Sequence, residues 1–244
     1  MTRSVRTVEI MDEREPLADA ALAVIEEMFA PGERQPLAEL RSEIAERRLG
    51  MLSSYNFHLI AALHDSDPEP AGAIAGLYLD GVNAGFITYL AVRRQHRGRR
   101  IARVLRPHLI EVFRADARRA GHTDLAWVIG EIRADSPWLK RLVRTRGAIP
   151  FDLEYYHPGM SLIGAESYIL YRQPVADERR ELPVSLVRRL LYAIYRRAYR
   201  SRYPLQRDTF QHMLQQLEGR TQVGVHPGFT HLLPPATGEA PRTS

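Results

Sequence analysis

FITYLAVRRQHRGRRIARVLRPHLIEVFRADARRAG, residues 86–121, decides the fold. Phe86–Val92 is apolar and rich in strand formers. Arg93–Arg100 is a short basic loop containing Gly98. From Ile101 the apolar residues Ile101, Val104, Leu105, Leu109, Val112 and Phe113 recur at helical spacing. Gly121 ends the helix, as a glycine beyond the last turn does. Pro107 lies inside this pattern and should kink the helix or move its start later. A helix N-terminus leaves backbone N–H groups without partners and carries partial positive charge. Behind a glycine-containing loop it makes a pyrophosphate site. Seven arginines and no acid lie between Arg93 and Arg106, whereas a plain solvated face mixes signs. The alternative is a basic loop that only precedes an ordinary helix.

Within this stretch Gln95, Gly98 and Arg100, entering the helix at Ile101 and Ala102, resemble the signature of the GNAT acyl-CoA transferases. That signature is a Gln or Arg, two residues, a Gly, one residue, then Gly or Ala. Arg100 departs from it. Either its side chain crowds the phosphate side, or it points outward while its N–H still serves.

Outside this stretch, Ser4–Ile10, Phe57–Leu63, Ala71–Leu79, Leu125–Ile132, Ile149–Tyr156 and Ser167–Arg172 read as strands. His64–Pro70 is a polar turn and Asp80-Gly81 a hairpin-like turn. Leu17–Phe29, Leu37–Leu49 and Ser136–Arg146 read as helices, the last with Ser136 or Asp135 as N-cap and Pro137 in its first turn. The order is strand, two helices, three strands, helix, strand, helix, two strands. It matches the GNAT order over about Arg3–Pro174. The expected fold class is therefore α+β, a mixed sheet flanked by helices. Residues 1–174 are expected to be the acetyltransferase domain and residues 175–244 a helical extension with an irregular tail.

The resemblance implies acyl transfer from acetyl-CoA to an amine. It implies that Phe86–Val92 and Leu125–Glu131 splay apart and admit the cofactor's pantetheine arm. The backbone of Leu90, Ala91 and Val92 would polarise the thioester carbonyl. The N–H groups of Arg97, Gly98, Arg99, Arg100, Ile101 and Ala102 would take the pyrophosphate. A general base belongs at the wedge mouth. Glu131, ending an apolar strand, is the first candidate and Asp135 a weaker one. The competing reading pairs Glu131 with Arg133 or a neighbouring arginine as a structural ion pair. The family's usual tyrosine acid would align with Val143 and is missing, and its usual Gly-Phe is Gly147-Ala148 here. Tyr155, Tyr156 and His157 can reach from the next strand, as acid or as packing residues. Gly130–Pro137 and Glu154–Met160 are loosely similar to a bacterial subgroup of the family, which supports Glu131 and Tyr155 as site residues.

The extension has its own signature. Leu182–Tyr203 carries six arginines, no acid and one apolar stripe, reading as a helix. A second helix is expected over Gln206–Leu217. The stripe can pack on the catalytic domain or on a second copy of the chain as a homodimer. Binding of a membrane or nucleic acid by this basic helix is the less favoured reading. A GNAT fold that binds acyl-CoA without turnover is a further alternative.

Composition bounds the rest. The 244 residues, 45% hydrophobic and 26% charged, suit one substantial core. There is no cysteine, which excludes disulfides and thiolate chemistry. The net charge is +5, and because Lys140 is the only lysine, arginine supplies 33 of the 34 basic residues. His212, His226 and His231 do not have metal-ligand spacing, and no metal is expected. The opening residues do not look like a signal peptide and no apolar run is long enough to span a bilayer, so a cytoplasmic protein is expected.

Overall fold

The computed structural model describes residues 5–52, 54–64, 67–159, 162 and 168–233. Ser4, Met160 and Ser167, at the edges of expected segments, lie outside them. A seven-stranded sheet runs in the order β1-β2-β3-β4-β5-β7-β6. Its strands are β1 (Val5–Glu9), β2 (Tyr55–His64), β3 (Pro70–Leu79), β4 (Ala84–Val92), β5 (Trp127–Arg133), β6 (Ile149–Pro150) and β7 (Tyr168–Pro174). All neighbours are antiparallel except β4 and β5, which are parallel. β2 to β4 are almost continuously apolar because helices cover both faces of the sheet.

One face carries α1 (Pro16–Met28) and α2 (Leu37–Arg48). The other carries α3 (Ile101–Arg119) over the strands and α4 (Pro137–Arg146) beside it. Ile101, Leu105, Leu109, Phe113 and Ala117 recur every fourth residue on one side of α3 and are all buried. The Phe113 ring lies against Gly85, where an added Cβ would meet ring carbons at 2.0 Å. That glycine sets how closely α3 approaches the sheet. Pro107 neither breaks α3 nor delays its start. The early position of the proline limits its effect to the first turns.

A buried polar knot ties the two layers. The His58 ring, fully inaccessible, meets Glu9 Oε1 through Nδ1 and Asp116 Oδ2 through Nε2, both at 2.6 Å. Asn56 donates to Asp116 at 3.1 Å and Arg47 to Glu9 at 2.6 Å. Burial would raise the Glu9 carboxyl, but the His58 hydrogen bond and the charges of His58 and Arg47 outweigh it and hold it down at about 2.

Two expected elements differ. Ile149–Tyr156 shortens to β6 with bridges at Phe151 and Tyr155. Beyond Pro150 the residues after Pro174 compete for its backbone. Asp152 N–H donates to the Gly224 carbonyl at 3.0 Å, and Glu154 N–H to Gln216 Oε1 at 2.9 Å. The expected Leu182–Tyr203 helix begins as β8 (Leu182–Pro183), continues as α5 (Val184–Ala193) and ends in a π turn over Ile194–Ala198. α6 (Asp208–Gln216) and β9 (Gln222–Val223) follow, and β9 pairs with β8. Between Gly219 and Leu233 the described residues form this strand and a 3-10 turn at Pro227–Leu232.

The stripe Val187, Leu190, Leu191, Ile194, Tyr195 and Ala198 is buried in the same core cluster as α1, α2 and the sheet. Its apolar area is therefore used within the chain. A charged clamp fixes the end of the extension. Arg200, held at φ +50°, reaches Glu43 Oε1 at 2.8 Å, and its guanidinium also meets Glu46. Burial raises the Glu43 carboxyl to about 7 against the pull of Arg200.

The folded state therefore keeps a proton on Glu43 that the unfolded chain releases between its ordinary value of 4.5 and about 7. Stability should fall as pH rises through that window. Urea unfolding of Glu43→Gln at pH 5 and pH 7.5 should show a smaller fall than the wild type. An identical fall would remove Glu43 as its source.

Candidate active site

β4 and β5 pair only from Ala84 opposite Trp127 to Ile87 opposite Gly130. Beyond that the strands part, while β4 stays paired with β3 as far as Val92 opposite Gly72. The parting coincides with a bulge. Tyr89 faces Ala75 and Ile87 faces Gly76, so Thr88 is the extra residue. Backbone groups on the free edge of β4, including those of Leu90, Ala91 and Val92, have no β5 partner.

On the α3 side the wedge opens into a basic cavity of about 330 Å³. Val92, Arg97, Gly98, Arg100, Ile101 and Ala102 line it, with Trp138 and Arg141 of α4 opposite. Gly98 is at φ +78° and Arg100 at φ +63°, and the helix has no side-chain cap. Within the loop Arg97 N–H donates to the Arg94 carbonyl at 3.2 Å and Arg99 N–H to the His96 carbonyl at 3.3 Å. No backbone acceptor among the described residues takes the N–H of Gly98, Arg100, Ile101 or Ala102. The expected six donors thus become four. Arg99 stays outside the cavity lining and Arg100 contributes both its N–H and a place in the wall.

Opposite, on the face covered by α1 and the extension, lies a second cavity of about 270 Å³. Glu131 lines it, with a side chain only 7% exposed. Its Oε1 is occupied: the Tyr199 hydroxyl donates to it, and His157 Nε2 lies 3.5 Å away. His157 Nδ1 accepts from Gly159 N–H at 3.0 Å, which leaves the proton of the neutral ring on Nε2, facing the carboxylate. Glu131 Oε2 is buried without a partner among the described residues, as are the hydroxyls of Thr88 and Tyr155. Burial first, and then the Glu131 charge, push the Tyr199 and Tyr155 hydroxyls well above their ordinary value. Both remain donors.

Glu131 Oε1 is held by Tyr199 and His157, and Arg133 forms an ion pair with a different carboxylate. That guanidinium meets Asp135 at 3.3 Å, which also takes Asp135 away from the wedge. Tyr155 is fully buried close to Glu131. Tyr156 is not brought to the cluster: neighbouring residues of an extended segment point opposite ways. Its ring meets His212 at 5.5 Å, and burial with Glu154 nearby raises its hydroxyl to about 12. Val143 packs in the core beneath α4 and offers no hydroxyl. The sequence places Tyr199 only at the end of the extension's apolar stripe and not among the site residues. It lies 68 positions from Glu131 on the far side of an extension with no motif, so nothing local marks it.

Residues 22–128 match the family model described as the Acetyltransferase (GNAT) family. That stretch is similar to a GNAT acetyltransferase domain. No curated protein matches the chain. Solved structures do. The ribosomal-protein-S18-alanine N-acetyltransferase of Escherichia coli superimposes with a TM-score of 0.50 at 16% identity, over 72% of this chain and 98% of that one. A GNAT-family protein of Bacteroides thetaiotaomicron gives a TM-score of 0.53 at 17% identity, over 78% and 97%. At these identities the likeness is one of fold. The wedge, the basic loop and the α3 N-terminus are thus placed by the GNAT fold, while the extension adds Tyr199. Among the described residues no group of three or more His, Asp or Glu gathers as a metal site, and no helix is long and apolar enough to cross a membrane.

Arg100 holds a left-handed conformation that costs an L-residue about 1–2 kcal/mol. Arg100→Gly should relieve it and raise the melting temperature by roughly 2–4 °C per kcal/mol gained. Scanning calorimetry decides this, and a lowered melting temperature would show that the arginine side chain contributes more than the strain removes.

Proposed function

We propose that the chain is an N-acetyltransferase that moves the acetyl group of acetyl-CoA to a primary amine by direct attack in a ternary complex. The observation that carries this is the wedge itself. The parted strands have a basic cavity at a helix N-terminus on one side and a second cavity lined by a buried carboxylate on the other.

The residues present suit the cofactor. Four N–H groups without backbone acceptors, the dipole of α3 and the side chains of Arg97 and Arg100 would hold the pyrophosphate. The free edge of β4 would receive the pantetheine arm and present an N–H to the thioester oxygen. Bound acetyl-CoA supplies a thioester whose acyl carbon accepts the amine nitrogen as the carbon–sulfur bond breaks. Glu131 acts before that. Its Oε2 takes one proton from the incoming ammonium and passes it to solvent, freeing the nitrogen lone pair. The nitrogen's second proton, released as the carbon–nitrogen bond forms, goes to the departing thiolate. The products are the N-acetyl amide, CoA thiol and one proton. Val143 supplies no acid, and this route needs none.

Isothermal titration with acetyl-CoA tests the reading. The wild type should bind, and Gly98→Glu, which sets a carboxylate where the pyrophosphate would lie, should bind at least about tenfold more weakly. Glu131→Gln should keep cofactor affinity while losing roughly 10²-fold or more of its turnover. Absence of binding by folded wild type would sink the proposal.

A further inference from the structure

The extension supplies a side chain to the cavity that holds Glu131. The π turn at Ile194–Ala198 closes with Tyr199 N–H donating to the Ile194 carbonyl at 3.1 Å, five residues back. One extra residue in that turn redirects the chain beyond it, and π turns recur at functional positions. Tyr199 here leaves the helical stripe and enters the sheet face. Its ring meets His157 edge-on at 4.6 Å and Phe86 at 6.0 Å. Arg200, the next residue, is anchored on Glu43 and Glu46 of α2, so the turn is held from both sides.

Three features of the cavity restrict what it can take. The first is charge. Glu131 Oε1 is engaged by Tyr199, and buried Oε2 has no donor within hydrogen-bond distance among the described residues. A buried carboxylate oxygen without a donor requires one, and an ammonium or amine N–H supplies it. Glu33, also in the lining, is only half-buried and its Oε2 accepts from Ala30 N–H at 3.2 Å, so it lacks the buried oxygen in need of a donor that Glu131 offers. The second is wall chemistry: the rings of Phe29, Tyr89, Tyr168, Tyr199 and His157 surround the carboxylate. Aromatic faces receive both an ammonium and an apolar body. The third is size, about 270 Å³, just below the range of ordinary ligand pockets.

We infer, building on the acetyl-transfer reading, that the C-terminal extension completes the acceptor site: the Tyr199 hydroxyl holds Glu131 Oε1, so that Oε2 receives the single primary ammonium of a compact acceptor with an aromatic or apolar body. Tyr199 is a positioning residue. It acts through Glu131 and fixes which carboxylate oxygen faces the acceptor.

Thiol release from acetyl-CoA by the full chain tests this with three probes: 2-phenylethylamine, spermidine and a tetrapeptide with N-terminal alanine. The wild type should turn over 2-phenylethylamine with kcat/KM at least about tenfold above the other two, the discrimination a pocket of this kind gives. Tyr199→Phe keeps the ring and removes only the hydroxyl. With 2-phenylethylamine its kcat should drop about tenfold while KM for acetyl-CoA and the melting temperature hold, the pattern of a contact that acts only in the reacting complex. Equal or better turnover of spermidine or the peptide overturns the acceptor class. So does acetyl-CoA binding with none of the three acetylated. Full kcat in Tyr199→Phe, or a change confined to KM for the amine, overturns the positioning role. Should Tyr199→Phe melt early, Tyr199→Trp, which keeps a donor and a ring, must restore more kcat than Tyr199→Leu. Failure of the acetyl-transfer reading itself is separate: the wild type then shows no acetyl-CoA binding by titration.

Discussion

Everything in this molecule turns on the parting of β4 and β5 after Ile87 and Gly130. A sheet interior cannot leave backbone N–H and C=O groups without partners unless something else meets them. Here the edge of β4 stays paired on its β3 side and open on the other. The bulge at Thr88 starts the divergence. Two cavities result, one bounded by the N-terminus of α3 and one by Glu131 and Tyr199. A ligand threading the wedge can satisfy the open edge while its charged end meets the helix terminus, which links the fold to the chemistry.

Backbone strain and buried polar atoms without partners both occur around this opening. Arg100 occupies a left-handed conformation at the helix entrance. Thr88, Glu131 and Tyr155 each keep a buried polar atom without a partner. Away from the wedge the polar groups of His58, Glu9, Asp116 and Asn56 satisfy one another. The His58 knot holds the layers together, whereas the open oxygen of Glu131 faces a cavity where a ligand can meet it.

The extension is part of the same structure rather than an appendage to it. Its apolar stripe shares a core with the sheet, its backbone takes the hydrogen bonds of the segment after β6, and its π turn delivers a hydroxyl to Glu131. This is why the segment after Pro150 does not continue as a strand. The stripe has one apolar face, and that face is buried within the chain.

Residues 86–121 alone carried the strand, the basic loop and a helix whose bounds, Ile101 and Arg119, the structure shares. Local physics decided these. Apolar periodicity of 2 or 3.6, glycine at positive φ and an uncapped helix start are properties of neighbouring residues. The same reasoning placed Glu131 at the end of an apolar strand. It could not separate Tyr155 from Tyr156, because which of two adjacent side chains faces a cleft depends on register with distant strands. Nor could it see Tyr199. The sequence by itself determined most of the elements up to Pro174, their order and the basic loop before α3. Only the tertiary structure decided that a tyrosine of the extension meets the carboxylate of β5, because that contact joins residues far apart in the chain and is set by the packing of whole layers.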